Sequence, residues 1–243
     1  MTCDRSNTTT NNPRRGRPFG NLRQTLDGIW WILRTGSMWI ELPAIYGKWN
    51  SVYRMHLRWA KRGLWTRILR VLAEGGRNGA LLSIDASFLK AHQDACRFRG
   101  KAENQGLGKT KGGRNSKINV VVNGKGKCLD FLLVPGNEND IISASRLLGD
   151  ELKESVVLAD KGYQSAQLAA HILASGGFPN IPSREGTLDP LPYHKDLGKL
   201  RHVVENFFCR LKRARRVGTR YDRLAATFTA FVTLAILDDW LRS

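Results

Sequence analysis

The sequence predicts an α/β protein, and three observations carry that reading. Two apolar runs of strand length, residues 81–84 and 156–159, each stop at an aspartate, Asp85 and Asp160. Apolar residues recur at helical spacing between Leu22 and Leu33 and again between Leu200 and Leu211. In between, Asn123-Gly124-Lys125-Gly126 separates two further apolar stretches, which is a hairpin signal. Periodicity alone goes no further than α/β.

Taken in order, residues 1–20 are dominated by Asn, Thr, Arg, Pro and Gly. They are expected to form a disordered basic tail, because so little apolar surface cannot offset the entropy of ordering. Residues 21–76 read as a compact helical module. Leu22, Leu26, Ile29, Trp30 and Leu33 define its first helix, which Thr35-Gly36 ends. Trp39, Ile40, Leu42 and Tyr46 give a short second helix broken at Gly47. A third follows around Tyr53, Leu57 and 59–64, and a fourth over 65–72.

Residues 77–243 form the larger domain. Its expected order is a strand at 81–86, a hairpin of strands at 118–123 and 128–134, and a helix over 139–150. A strand at 156–160, a helix at 165–173, a strand at 178–182, a helix through Glu205 and a last helix over 224–241 complete it.

At about 100° per residue, Leu200, Val203, Val204, Phe207, Phe208 and Leu211 fill one arc of the helix through Glu205. Arg201, Glu205 and Lys212 fall together just beyond it, within roughly 40° of one another. One stripe thus sets a carboxylate between two cations. The competing reading is a solvated salt-bridging face, since Arg201 and Glu205 stand four residues apart. The other two acids weigh against it. A carboxylate that ends an apolar strand lies at a sheet rim, beside solvent and substrate. Two such strands and one helix can bring three oxygen ligands to a pair of Mg2+ ions.

Length and charge narrow the class. A chain of 243 residues can bury one substantial core and carry a small accessory domain. A formal net charge of +18 implies a polyanionic partner, with DNA or RNA the default. No long uncharged apolar stretch and no signal-peptide pattern occur, so a cytosolic, non-membrane protein is expected. The four cysteines show no zinc-ligand spacing and are expected to be free thiols. His202, beside Arg201, is the one histidine placed near the acids, with packing or capping weighed against a phosphate contact.

Basic residues gather in three places. In the helical module, Arg54, Arg58, Lys61 and Arg62 on short helices with Gly turns fit a helix-turn-helix DNA reader. Six of the seven tryptophans fall there, with core packing favoured over base stacking. Residues 97–117 carry Arg97, Arg99, Lys101, Lys109, Lys111, Arg114 and Lys117, read as a flexible basic loop beside Asp85. They lack Gly-x4-Gly-Lys-Ser/Thr, which excludes a P-loop. Arg210, Lys212, Arg213, Arg215 and Arg216 form the third cluster. The tail's Arg14-Arg15-Gly16-Arg17-Pro18 either lies in a DNA groove or is solvated.

At this point the chain resembles a known family. The pieces are Ile84-Asp85-Ala86-Ser87, Lys111-Gly112-Gly113-Arg114-Asn115-Ser116-Lys117-Ile118, Val134-Pro135-Gly136-Asn137 and Ala159-Asp160-Lys161-Gly162-Tyr163. Arg201-His202-Val203-Val204-Glu205-Asn206-Phe207-Phe208, Leu211-Lys212 and Thr219-Arg220-Tyr221-Asp222 continue the series. In order and spacing they are similar to a DDE transposase of a bacterial insertion sequence, from about residue 14 to the end. Any one piece is weak; the series is strong. The family's third motif is Tyr-x2-Arg-x3-Glu-x6-Lys. Arg201, Glu205 and Lys212 match it, while the tyrosine position holds Gly198.

The resemblance implies a ribonuclease-H-like catalytic domain, a mixed sheet flanked by helices, behind the helix-turn-helix-like module. It implies that Asp85, Asp160 and Glu205 are catalytic and hold two divalent ions, Mg2+ or else Mn2+. Arg201, Lys212, Arg114, Lys117, Lys161, Arg54 and Arg58 are the implied DNA contacts. The implied partners are terminal inverted repeats and target DNA, with a homo-oligomer in the DNA complex and a bacterial, nucleoid-associated location. Relatives usually carry a further folded stretch ahead of this segment, so a truncated or frameshift-split element is expected. Two other readings stay open: an inactive remnant that only binds DNA, and a metal-dependent nuclease without strand transfer.

Overall fold

The computed structural model describes residues 21–77, 79–97, 105–187 and 190–242. The expected basic tail, and Arg99 and Lys101 of the basic run, lie outside the described residues.

Strand β1 (Leu81–Ala91) is the centre of the sheet. On one side it pairs antiparallel with β3 (Gly113–Asn123), which pairs antiparallel with β4 (Cys128–Pro135). The start of β3 also carries the short β2 (Gly108–Thr110). On the other side lie β5 (Val156–Leu158) and then β6 (Phe178–Asn180), both parallel. The last two residues of β1 pair with β7 (Thr219–Arg220). Three antiparallel strands joined to two parallel ones make the mixed sheet of a ribonuclease-H-like fold.

The sheet is buried on both faces. Alternation along β1 sends Leu82 and Ile84 to one face, with Val121 of β3. There they meet α4 (Asp140–Leu148) and α5 (Ala166–Ala174). The opposite face carries Leu89, Val120 and Val122, covered by α7 (His202–Leu211) and α9 (Ala225–Leu241). Between α5 and α7 lies the short α6 (Lys195–Lys199), and between α7 and β7 the single turn α8 (Arg215–Gly218).

Helix α9 explains what the N-terminal segment is for. Its residues are apolar around the whole circumference, and ten of its 17 are buried. A helix without a polar face needs cover on every side. The sheet supplies one side; α2 (Trp49–Lys61) and α3 (Leu64–Ala73) supply the other, with α1 (Leu22–Thr35) behind them. Ile29, Ile32, Leu33, Val52, Trp65 and Leu69 therefore belong to the same buried cluster as Leu89, Phe207 and Phe231. Five of the six N-terminal tryptophans pack in or against this core, and Trp49 is 39% exposed. Among the described residues no helix is long and apolar enough to cross a membrane. Cys96, Cys128 and Cys209 are free thiols.

Helix α1 ends as its sequence predicts: Gly36 adopts φ 71° and its N–H reaches the Ile32 carbonyl. Three elements differ from expectation. The helix expected over 39–46 is two 3-10 turns, Trp39–Glu41 and Ala44–Tyr46, because Pro43 between them has no N–H to continue one helix. Strand β1 does not stop at 86, because β3 and β7 pair with it as far as Ala91. Strand β3 begins five residues before 118 for the same reason, which turns residues 108–117 from a loop into a β-hairpin. That hairpin pairs beside Lys90, at the far end of β1 from Asp85.

Candidate active site

Asp85 lies in the middle of the central strand, opposite Val120 of β3. Its other flank is open. Strand β5 pairs with β1 only from Leu81 to Ser83, the last pair being Ser83 with Leu158. Two residues beyond that last pair come Asp85 and, past the end of β5, Asp160, near enough for the Asp160 charge to act on Asp85. The sheet rim is there, although a neighbour's end creates it rather than the end of β1.

Local hydrogen bonds hold each carboxylate. Asp85 Oδ1 accepts the Ala86 N–H at 2.8 Å and Oδ2 accepts Arg201 Nη1 at 3.0 Å. Burial raises the Asp85 carboxyl above the usual range; the Ala86 N–H and Arg201 pull it back, and Asp160 pushes it up. Asp160 is exposed and accepts the Gly162 N–H at 2.8 Å. A Cβ at residue 162 would come within 2.9 Å of that carboxylate oxygen and push it from its present position.

Glu205 comes from α7. Val204, Phe207, Phe208 and Leu211 are buried, as the helical wheel predicts, while Leu200 lies in the turn before α7 and is 40% exposed. Arg201 caps the helix, and its second terminal nitrogen donates to Glu205 Oε1. One guanidinium therefore joins Asp85 to Glu205. The i, i+4 pair is formed: the Arg201 side chain is 23% exposed, while Glu205 keeps 56% of its side chain open to solvent. At the other end of α7, Lys212 Nζ donates to Ser87 Oγ at 2.7 Å. Ser87 is two residues beyond Asp85 and faces the same way. That alternation could have marked Ser87 in the sequence, where it carried no role.

The remaining basic residues divide. Lys161 is exposed beside Asp160, and Arg114 is exposed on the β2–β3 hairpin. Arg54 and Arg58 lie on the outer face of α2, whose inner face carries Val52 and His56. Lys117 departs from expectation. It pairs opposite Phe88, three residues from Asp85, and so faces the other side of the sheet. Its side chain is 5% exposed, with Nζ 2.6 Å from Asp140 and donating to the Glu138 carbonyl. An ion pair with the half-exposed Asp140 takes the place of the expected phosphate contact.

The cluster 210–216 splits likewise. Arg210 is held by Asp239 at 2.6 Å and Arg216 by Asp222 at 3.0 Å, while Lys212, Arg213 and Arg215 remain exposed. His202 Nδ1 meets the Lys199 carbonyl at 2.8 Å, in a cap of the preceding turn. At Gly198, a Cβ would come within 2.0 Å of the Tyr193 hydroxyl. The Tyr193 ring thus fills the place where a side chain at 198 would begin. Tyr163, buried behind Asp160, has its phenol pushed up by burial and by Asp140, Asp85 and Asp160.

Among the described residues, no three His, Cys, Asp or Glu side chains form a ready cation cage. Asp85 and Glu205 are spanned by a guanidinium instead. Asp85, Asp160 and Glu205 would each offer oxygen, the donor that hard divalent cations prefer.

Comparison with known proteins places the chain in a family. Residues 77–237 match the family model "Transposase DDE domain", and residues 6–69 match "Putative transposase of IS4/5 family". The uncharacterized protein y4sN of Sinorhizobium fredii is 36% identical over 103 residues, covering 42% of this chain and 72% of that protein. A "Putative transposase for insertion sequence element IS6501" of Brucella ovis is 33% identical over 133 residues, covering 52% of this chain and 98% of that protein. No solved structure matches the chain.

Proposed function

The chain belongs to the DDE transposase family of insertion sequences, and from that premise we propose that it cleaves DNA at its element's ends and joins the freed strand to target DNA. The observation that carries this reading is the meeting of Asp85, Asp160 and the Arg201–Glu205 pair at one sheet rim. DDE domains generally work with divalent metal ions. Asp85, Asp160 and Glu205 would hold them here, and Mg2+, with Mn2+ as the alternative, suits the all-carboxylate donors. Such ions, when bound, supply charge that activates the attacking hydroxyl and stabilises the leaving oxygen.

The chain's own residues prepare the site. The Ala86 and Gly162 N–H groups fix the rotamers of Asp85 and Asp160. Arg201 holds Asp85 and Glu205 together, and it offers a positive charge to a phosphate entering at the rim. Lys212, anchored on Ser87, sets a second positive charge further along β1. Lys161 and Arg114 extend the basic surface, and Arg54 and Arg58 on α2 present cations to a duplex. These contacts give salt-dependent binding. No tyrosine or serine nucleophile is assigned, because water and then the freed 3′-hydroxyl attack. The protein acts at the bacterial nucleoid, as a homo-oligomer on its DNA.

The test uses the purified full chain, a duplex carrying the ends of its element, and Mg2+, assayed for cleaved and joined products. Both products support the proposal. Cleavage without joining identifies a nuclease, and binding without cleavage identifies a DNA-binding remnant, the reading that Gly198 at the motif tyrosine favours.

A further inference from the structure

A cleft of about 750 Å³ opens at the far end of β1 from the acids. Trp39, Trp49 and Tyr53 of the N-terminal helices line one side, and Tyr221 and Arg223 the other, with Arg97 at the mouth. The volume lies within the roughly 300–1,000 Å³ of small-molecule sites. Helix and sheet packing leave this space open because the two sides are held apart by a built floor. Arg216, 6% exposed, donates to Asp222 through two nitrogens, at 3.0 and 3.4 Å, and to the Ser37 carbonyl at 3.1 Å. Its guanidinium lies 5.4 Å from the Tyr221 ring centre.

The walls are rings. Trp39 and Tyr53 meet edge to face at 5.3 Å, and Tyr221 leans on His92 at 4.9 Å. Trp49, at the start of α2, is 39% exposed. The mouth is cationic. Arg97 is 68% exposed, with the Asp94 carboxylate 4.0 Å away. Arg223 is exposed, with one nitrogen on the Asp94 carbonyl. Both Asp222 oxygens are taken by Arg216, so the floor does not repel an anion.

Position connects the cleft to the acids. Tyr221 follows β7 directly, and β7 pairs with Lys90 and Ala91. Ala91 lies six steps along β1 from Asp85, roughly 20 Å at 3.3 Å each. That is the rise of about six stacked nucleotides at 3.4 Å, and fewer of a stretched strand. Lys212, on Ser87, lies between the two places.

We propose that this cleft takes an unpaired base of the bound DNA, stacked among Trp49, Tyr53 and Tyr221, with adjoining phosphates on Arg97 and Arg223. Flat rings beside cations suit a base and its phosphates, and such stacking tolerates any base. The proposal rests on the reading that the chain binds DNA, and its test separates the two.

The full chain is titrated against two duplexes of one sequence, one fully paired and one with a single bulged 2-aminopurine. Affinity and 2-aminopurine emission are both read. The bulged duplex is expected to bind about 10-fold tighter, within the range for one stacked base, with its emission quenched. Trp49→Ala and, separately, Arg223→Gln should reduce that advantage to about 2-fold and leave affinity for the paired duplex unchanged, while Trp49→Phe keeps most of it. Equal affinity for the two duplexes, or an advantage that survives both variants, overturns the cleft and leaves DNA binding standing. Failure to bind either duplex overturns both readings.

Discussion

Arg201 Nη1 donates to Asp85 Oδ2 across 3.0 Å, joining residues 116 positions apart. The same guanidinium reaches Glu205, so one planar cation sets the spacing of two carboxylates. A lysine cannot span both, because its ammonium is a single point of charge. Arg201→Lys should therefore keep the positive charge yet lower the cleavage rate by roughly 10–100-fold, the usual cost of losing a group that orients metal ligands. Single-turnover cleavage at saturating Mg2+ measures it. A wild-type rate would show that the bridge has no part in the chemistry.

The N-terminal helices cannot be removed to test DNA reading, because α9 would lose the cover that α2 and α3 give it. Point variants on the outer face of α2 serve instead. Arg54→Ala with Arg58→Ala should weaken duplex binding and flatten the logarithmic salt dependence by about 2, one for each phosphate no longer neutralised. Binding titrations at several salt concentrations give the slope. An unchanged slope would place the duplex elsewhere.

The side chains of Arg216 and Asp222 are 7% and 6% exposed and hold each other. Arg216→Ala leaves a buried carboxylate unpaired and opens the seam to Ser37. We expect a loss of about 3–5 kcal/mol in unfolding free energy by urea denaturation. Arg216→Met with Asp222→Leu, which removes both charges, should recover most of it. A double variant as unstable as the single one would show that packing, and not the charge, matters there.

His56 is fully buried and stacks on Phe231 at 4.3 Å. Burial lowers its imidazole to about 4, against Asp222 and the Thr227 backbone, which pull it up. Between about 4 and 6.5 the unfolded chain therefore binds the proton and the folded one does not. Stability from this residue is full above about 6.5 and falls as pH drops through that window, by about 3 kcal/mol in total. His56→Leu should remove that part of the acid loss. Urea denaturation near neutral pH and at about pH 4.5, inside that window, compares the two chains, and parallel losses would contradict the assignment.

Much of the fold was legible because its signals are local. Gly36 stops α1, Asn123-Gly124 turns β3 into β4, and the α7 wheel separates Phe207 and Phe208 from Arg201 and Glu205. The two aspartates were legible as ends of apolar runs. What escaped depends on partners distant in the chain. The half of β1 beyond Ala86 has no clear apolar alternation and is a strand because β3 and β7 pair with it. Lys117 sits in a run that reads as exposed and basic, and only the packing of α4 buries it against Asp140. Arg210 meets Asp239, 29 residues on, and Arg201 meets Asp85, 116 residues back. Tyr193 over Gly198 left no pattern in the sequence at all.

The central claim is that Asp85, Asp160 and Glu205 serve metal-dependent strand cleavage, and Asp85→Asn tests it most directly. Asparagine keeps the shape and can still accept the Ala86 N–H, but it removes the charge. Cleavage of element-end DNA by the full-length variant in Mg2+ should fall at least about 10³-fold, since the role proposed for the carboxylate is to hold the ions that stabilise the transition state. DNA affinity, measured on the same preparation, should stay within about 2-fold, because this side chain makes no groove contact. Cleavage at the wild-type rate would contradict the account.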